Sequence, residues 1–202
     1  YFQEALNWQP DMPLALLGVQ GVYGNGFLIA DSAEIYAHRA ATTAPLWPLP
    51  YVRMAEMFSE NFGQFDKAKV YLDLAQGIDS TSVVLWGAQA SYYFDQKKYL
   101  QAEPILRKIL GSSSSAVCHS CFVNLLGRVL LESGRTGEAE ELIQNLLERD
   151  PTDFHSHTTL GRIYVQEGRY DAAKQEFRLA ADLTYLTAKA DAVYYYWMAW
   201  MK

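Results

Sequence analysis

The sequence predicts an all-α fold of antiparallel helical hairpins repeated along the chain. Apolar residues recur at three- and four-residue intervals through most of the 202 residues, which places them on one face of a helix, and strand-like alternation is scarce. Ala and Leu outnumber Val and Ile, as helices favour. Blocks of the C-terminal half also return at a fixed interval. Leu126-Gly127-Arg128 recurs as Leu160-Gly161-Arg162, Gly134-Arg135 as Gly168-Arg169, and Ala139 as Ala173, each 34 residues on (160 − 126, 168 − 134, 173 − 139). Such a period marks a repeat architecture, in which each unit buries its apolar face against its neighbours.

The C-terminal copies, 120–153 and 154–187, set the pattern. Small Gly127 and Gly161 on a first helix, with Ala139 and Ala173 on a second, allow the two helices to approach closely. Leu130, Tyr164, Ile143 and Phe177 fill the space between them. Gly134 and Gly168 supply the backbone freedom that ends a helix, and Pro151 after Asp150 separates one copy from the next.

Toward the N-terminus the copies diverge. The stretch 83–119 carries Trp86, Ala90, Tyr93, Tyr99, Ala102, Leu106 and Ile109 in the expected large and small places. Ala102 precedes Ala139 by 37 (139 − 102), and the surplus of three falls in the polar run Gly111–Ser115, where an insertion is tolerated. Pro104 sits inside that copy's second helix, where a lost backbone bond costs about 3 kcal/mol, so a kink or a late helix start is expected. In 49–82, Phe65, Ala68, Leu72 and Ala75 mark the second helix, whereas Glu56 holds a position of the first that is normally small. A more divergent copy, 14–47, has Leu17, Gly21, Ala33, Ala40 and Pro45; its Tyr23-Gly24-Asn25-Gly26 reads as the turn of a hairpin, because a phosphate loop needs a lysine and a preceding strand. Residues 1–12, with Phe2, Ala5 and Pro10, read as the end of a preceding repeat, and 188–202 as a terminal helix. Pro45, Pro48 and Pro50 make 44–51 the irregular joint, either a rigid turn or a hinge, with Pro50 suited to the first turn of the next helix.

This period and pattern resemble the tetratricopeptide repeat. The resemblance implies a single right-handed superhelical solenoid over 1–202, with first helices lining a concave groove that binds a peptide, helix or domain of another protein. Its groove positions map onto Arg53, Met57 and Glu60; Gly87, Ser91, Phe94 and Asp95; Asn124, Arg128, Leu131 and Glu132; and Thr158, Arg162, Val165 and Gln166. Arg128 and Arg162, equivalent residues one repeat apart, either form a ladder that grips carboxylates or make ordinary surface ion pairs. The chaperone-binding members use a Lys and Asn clamp; Asn124 matches, but the lysines are absent, so that reading is set aside.

A net charge of −6 and a pI near 5.2 argue against direct nucleic-acid binding and, weakly, against anionic membranes. No apolar run reaches the ~18 residues that span a bilayer. No catalytic constellation and no cofactor motif stands out: Ser112–Ser115 lack a Gly-x-Ser-x-Gly setting. Cys118-His119-Ser120-Cys121 opens a first helix, and its two cysteines read as free thiols, a Cys118–Cys121 disulfide or, less naturally, a redox pair. Cys121 and His155 differ by 34 (155 − 121), so metal binding by Cys118, Cys121 and His155 is a further reading, whereas His157 falls at an inward position. The run Val193–Met201 is aromatic on all sides, which suits either a continuing repeat or self-association through this helix. The start at Tyr1 reads as a cut within a longer protein. The function expected is a protein-interaction scaffold; the looser alternative is the helical-repeat sensory domain of a membrane-anchored bacterial transcription regulator.

Overall fold

A computed structural model describes residues 1–112 and 119–184; the runs 113–118 and 185–202, with Cys118 and the aromatic tail, lie outside the described residues. The described residues form α1 (Phe2–Trp8), α2 (Pro13–Gly21), α3 (Ala30–Thr43), α4 (Leu49–Glu60), α5 (Phe65–Ile78), α6 (Val83–Asp95), α7 (Tyr99–Gly111), α8 (His119–Glu132), α9 (Thr136–Arg149) and α10 (Phe154–Gln166). Residues 170–184 form a further helix, α11. The chain divides into two compact units, 1–117 and 118–202.

In the N-terminal unit, consecutive helices pair as hairpins, α2 with α3, α4 with α5 and α6 with α7, and the first helices α4 and α6 also touch. One apolar core joins Ala33 and Ala37 of α3 to Val52, Met54, Ala55 and Phe58 of α4, then to Ala68, Leu72 and Ala75 of α5 and Leu85 of α6. A smaller core holds Leu16 and Val19 of α2 against Ala40, with Trp47 and Leu49 packed on it. The proline-rich joint is thus packed on both sides within one unit, which favours the rigid turn. Pro50 occupies the first turn of α4, where its missing N–H leaves nothing unsatisfied.

The turn of the divergent hairpin is a π-helical extension of α2 over Val22–Gly26. A side chain at Gly24 would run into Met57 of α4, and one at Gly18 would run into the ring of Phe2. Both glycines are contact points between helices.

Pro104 does not delay α7, which starts at Tyr99 and passes through it. The proline lies on the exposed face, opposite Ala102, Leu106 and Ile109. The carbonyl deprived of its partner belongs to Leu100, a residue 88% exposed, so water replaces the missing donor.

In the C-terminal unit, α8 pairs with α9, and α10 packs on both. A Cβ placed on Gly127 would lie 2.7 Å from Ile143 Cδ1, and one on Gly161 would lie 2.7 Å from Phe177 Cε1. These are the close approaches that the sequence assigns to the two glycines. His157, 8% exposed, sits at its inward position with Nδ1 2.7 Å from Glu176 Oε2 and Nε2 3.0 Å from the Pro151 carbonyl. It ties α10 to α11.

The hairpin turns share one device. Gly134 and Gly168 have φ of 78° and 77°. Each is bracketed by a five-residue backbone bond, Arg135 N–H to Leu130 O at 2.9 Å and Arg169 N–H to Tyr164 O at 2.8 Å. This is the Schellman ending of a helix. Lys97 occupies the same place in the α6–α7 turn, with φ 59° and Lys98 N–H donating to Tyr93 O at 2.8 Å. A side chain in that region costs about 1–2 kcal/mol, which glycine avoids at some entropic expense. Lys97→Gly should therefore stabilise the protein by about 0.5–1 kcal/mol, and Gly134→Ala should destabilise it by about 1–2 kcal/mol, both read from urea unfolding.

Candidate partner-binding surface

Each unit carries a cavity between the first helices of successive hairpins. In the C-terminal unit a cavity of about 300 Å³ is lined by Ser120, Cys121, Asn124, Leu125 and Arg128 of α8 and by His155, Thr158, Thr159 and Arg162 of α10. Four of the residues expected in the groove, Asn124, Arg128, Thr158 and Arg162, therefore meet here. Its charged lining is two guanidiniums, with no carboxylate among the lining residues. Arg162 Nη2 makes an exposed ion pair with Glu132 Oε1 at 3.1 Å, bridging α10 to α8. Such a pair contributes little to stability and gives way readily to another carboxylate.

Asn124 plays a second part that its sequence position does not reveal. It is only 7% exposed, and its Nδ2 donates to Ser120 O at 3.1 Å and to Asp153 Oδ2 and Ser156 Oγ at 3.0 Å. Thr159 Oγ1 donates to Asn124 Oδ1 at 3.1 Å. Asp153 also caps α10 by accepting from His155 N–H at 3.1 Å. The amide thus fixes α8 against the start of α10 and holds the cavity wall rigid. The sequence signal was the polar set Asp153, Ser156 and Thr159 on one helical face, which matters only once Asn124 is placed opposite.

Other expected groove residues lie elsewhere. Leu131 is 3% exposed and belongs to the core, not the groove. It follows Gly127 by one turn, on the face that presses against Ile143 and Thr159. Gln166 is exposed at the last position of α10, outside the cavity. Ser91 and Phe94 are half-buried on α6, where the Phe94 ring lies 5.7 Å from that of Tyr99. Asp95 accepts from Ser59 Oγ at 2.6 Å and so ties α6 to α4. Cys121 and His155 line one cavity, and Cys121 is not a free thiol. Cys118 lies outside the described residues, so the pairing stands as an expectation of the sequence. Among the described residues no group of three or more His, Cys, Asp or Glu is placed to hold a metal ion.

Arg53 belongs to the N-terminal unit's cavity, about 400 Å³ between α2 and α4. Its lining includes Leu14, Leu17, Gln20, Gly21 and Asn25 on one side and Leu49, Arg53, Glu56, Met57 and Glu60 on the other. Arg53 Nη1 pairs with Glu56 Oε2 at 3.1 Å. Burial pushes the Glu56 carboxyl above its ordinary range despite that pair. Glu56, the departure from a small residue, is thus a wall of this cavity.

A tetratricopeptide-repeat family model matches residues 93–158 and again 130–185. Residues 93–185 are tetratricopeptide repeats. Solved structures agree on the fold. Yeast Tom70 superposes with a TM-score of 0.74 at 16% identity, over 91% of this chain and 38% of that one. A chain of the APC/C hetero-tetramer Cut9–Hcn1 gives 0.72 at 16% identity, over 91% of this chain, which spans 35% of its length. A tetratricopeptide-repeat protein from Parabacteroides merdae gives 0.73 at 12% identity, over 90% and 69%. No curated protein sequence matches the chain. Tetratricopeptide-repeat domains generally serve as protein-interaction modules and are typically non-catalytic. No described helix is long and apolar enough to cross a membrane.

Two outcomes test the energetics of these repeats. Asn124→Ala leaves Asp153 without its amide donor and should cost about 1–3 kcal/mol in urea unfolding; Asn124→Asp, which sets a second carboxylate there, should cost more. The raised Glu56 carboxyl means that the folded chain holds this proton more tightly than the unfolded chain, whose reference value is 4.5. Stability from Glu56 is therefore lost as pH rises through its folded value. Glu56→Gln should stabilise the protein at pH 7, and the gain should vanish below about pH 4, as unfolding curves at the two pH values would read.

Proposed function

We propose that this protein is an interaction scaffold that holds an acidic stretch of a partner protein against the first helices of its repeats. The observation that carries the reading is the α8–α10 cavity, whose lining brings Arg128 and Arg162 together from successive first helices. Guanidinium pairs with carboxylate through two parallel hydrogen bonds, which gives direction as well as strength. The Asn124 network holds the two helices that present them in fixed register, so little ordering is needed on binding. The Arg162–Glu132 pair at 3.1 Å shows a carboxylate already accepted at this position, and a partner's carboxylate takes its place at small cost.

The experiment is capture of a partner by the intact protein, identification of the bound segment, and affinity measurement with Arg162→Glu alone and combined with Arg128→Glu. The double variant should weaken binding about tenfold or more, with the single variant intermediate and its unfolding midpoint close to that of the parent. A partner whose affinity ignores both changes would place the site elsewhere.

A further inference from the structure

The α2–α4 cavity of the N-terminal unit has the opposite character. Its charged lining is Glu56 and Glu60 against the single cation Arg53, and Arg53 is already engaged with Glu56 at 3.1 Å. A second observation points to a ligand. Gln20 is 2% exposed and lines this cavity, yet its one side-chain hydrogen bond among the described residues is a long contact from Nε2 to the Met57 sulfur at 3.9 Å. Sulfur is a weak acceptor, and among the described residues nothing donates to the Gln20 oxygen, which is not closed off from the cavity. An amide oxygen turned to an open cavity is available to a donor that enters it.

Space is available for that something. Gly21 also lines the cavity, and a Cβ placed there would meet nothing within 4 Å. The volume, about 400 Å³, falls in the roughly 300–1,000 Å³ range of ligand sites. Leu14, Leu17 and Met57 provide apolar wall beside the acceptors. A long aliphatic stem ending in a cation satisfies both halves: the stem covers the apolar wall and the head meets oxygen acceptors.

We infer that the α2–α4 cavity receives a lysine or arginine side chain of the bound partner, with Gln20 and Glu56 as its acceptors. The inference rests on the reading of this protein as a scaffold and adds to it a second subsite of opposite charge. A partner that meets both units then offers a basic residue to one and acidic residues to the other, a pattern that a uniformly acidic competitor lacks.

The test is nuclear magnetic resonance of the isotope-labelled full chain, titrated with the peptide Ac-Ala-Lys-Ala-NH2 and, separately, Ac-Ala-Glu-Ala-NH2. The lysine peptide should shift the side-chain amide signals of Gln20 and Asn25 in a saturable way, and the glutamate peptide should leave them unmoved. Glu56→Gln should weaken the lysine response about tenfold. Gly21→Leu places a side chain in the cavity while leaving both carboxylates in the sequence, and should abolish the response. The inference is overturned if the lysine peptide moves neither signal, if both peptides act alike, or if the response survives Gly21→Leu. Should that happen while partner capture is still lost on charge reversal of Arg128 and Arg162, only the cationic subsite fails. Capture indifferent to every one of these changes would overturn the scaffold reading itself.

Discussion

Each hairpin depends on how closely its two helices lie. Helices separated by ordinary side chains pack 8–10 Å apart, and a glycine or alanine at the crossing lets them draw nearer. Gly127 under Ile143 and Gly161 under Phe177 mark the crossings in the C-terminal unit, while fully buried Ala90 and Ala102 are the small residues of the α6–α7 hairpin. Because the contact is made with almost no side chain on one partner, neighbouring large residues such as Leu130 and Ile143 reach into the space on either side. The remaining geometry, including the cavities between successive first helices, follows from that separation.

The turns obey the same economy of parts. One left-handed residue and one five-residue backbone bond reverse the chain at Gly134 and Gly168. The inter-hairpin turns repeat a second device: Asp79 accepts from Thr81 and Asp150 from Thr152, through both the backbone N–H and the hydroxyl. Those side-chain and backbone bonds hold both aspartates below the ordinary carboxylate range. Local rules of this kind are independent of what lies elsewhere in the chain, which is why they can be repeated.

That locality also explains what was legible in the residues. Period, turn glycines and small-residue crossings are properties of one hairpin, so the C-terminal copies could be read with their partners assigned. Leu131 and Asn124 were harder, since their burial depends on the next hairpin, which composition at one position does not announce. The cavity between α2 and α4 was harder still. Gln20 and Asn25 lie on a helix whose pattern departs from the others and ends in a π-helical turn, and only the fold sets them opposite Glu56. Pro104 was read as a disturbance, yet it falls on the face where water can mend the loss.

The α6–α7 hairpin gathers two compromises that its neighbours avoid. Lys97 takes the left-handed position without being glycine, and Pro104 removes one rung of the α7 ladder. A repeat protein opens in cooperative segments, beginning with the one whose local free energy is smallest. α7 is therefore held less firmly than the second helix before it: its amides should exchange with solvent before those of α5, and a protease would cut a transiently opened backbone there sooner than in α5.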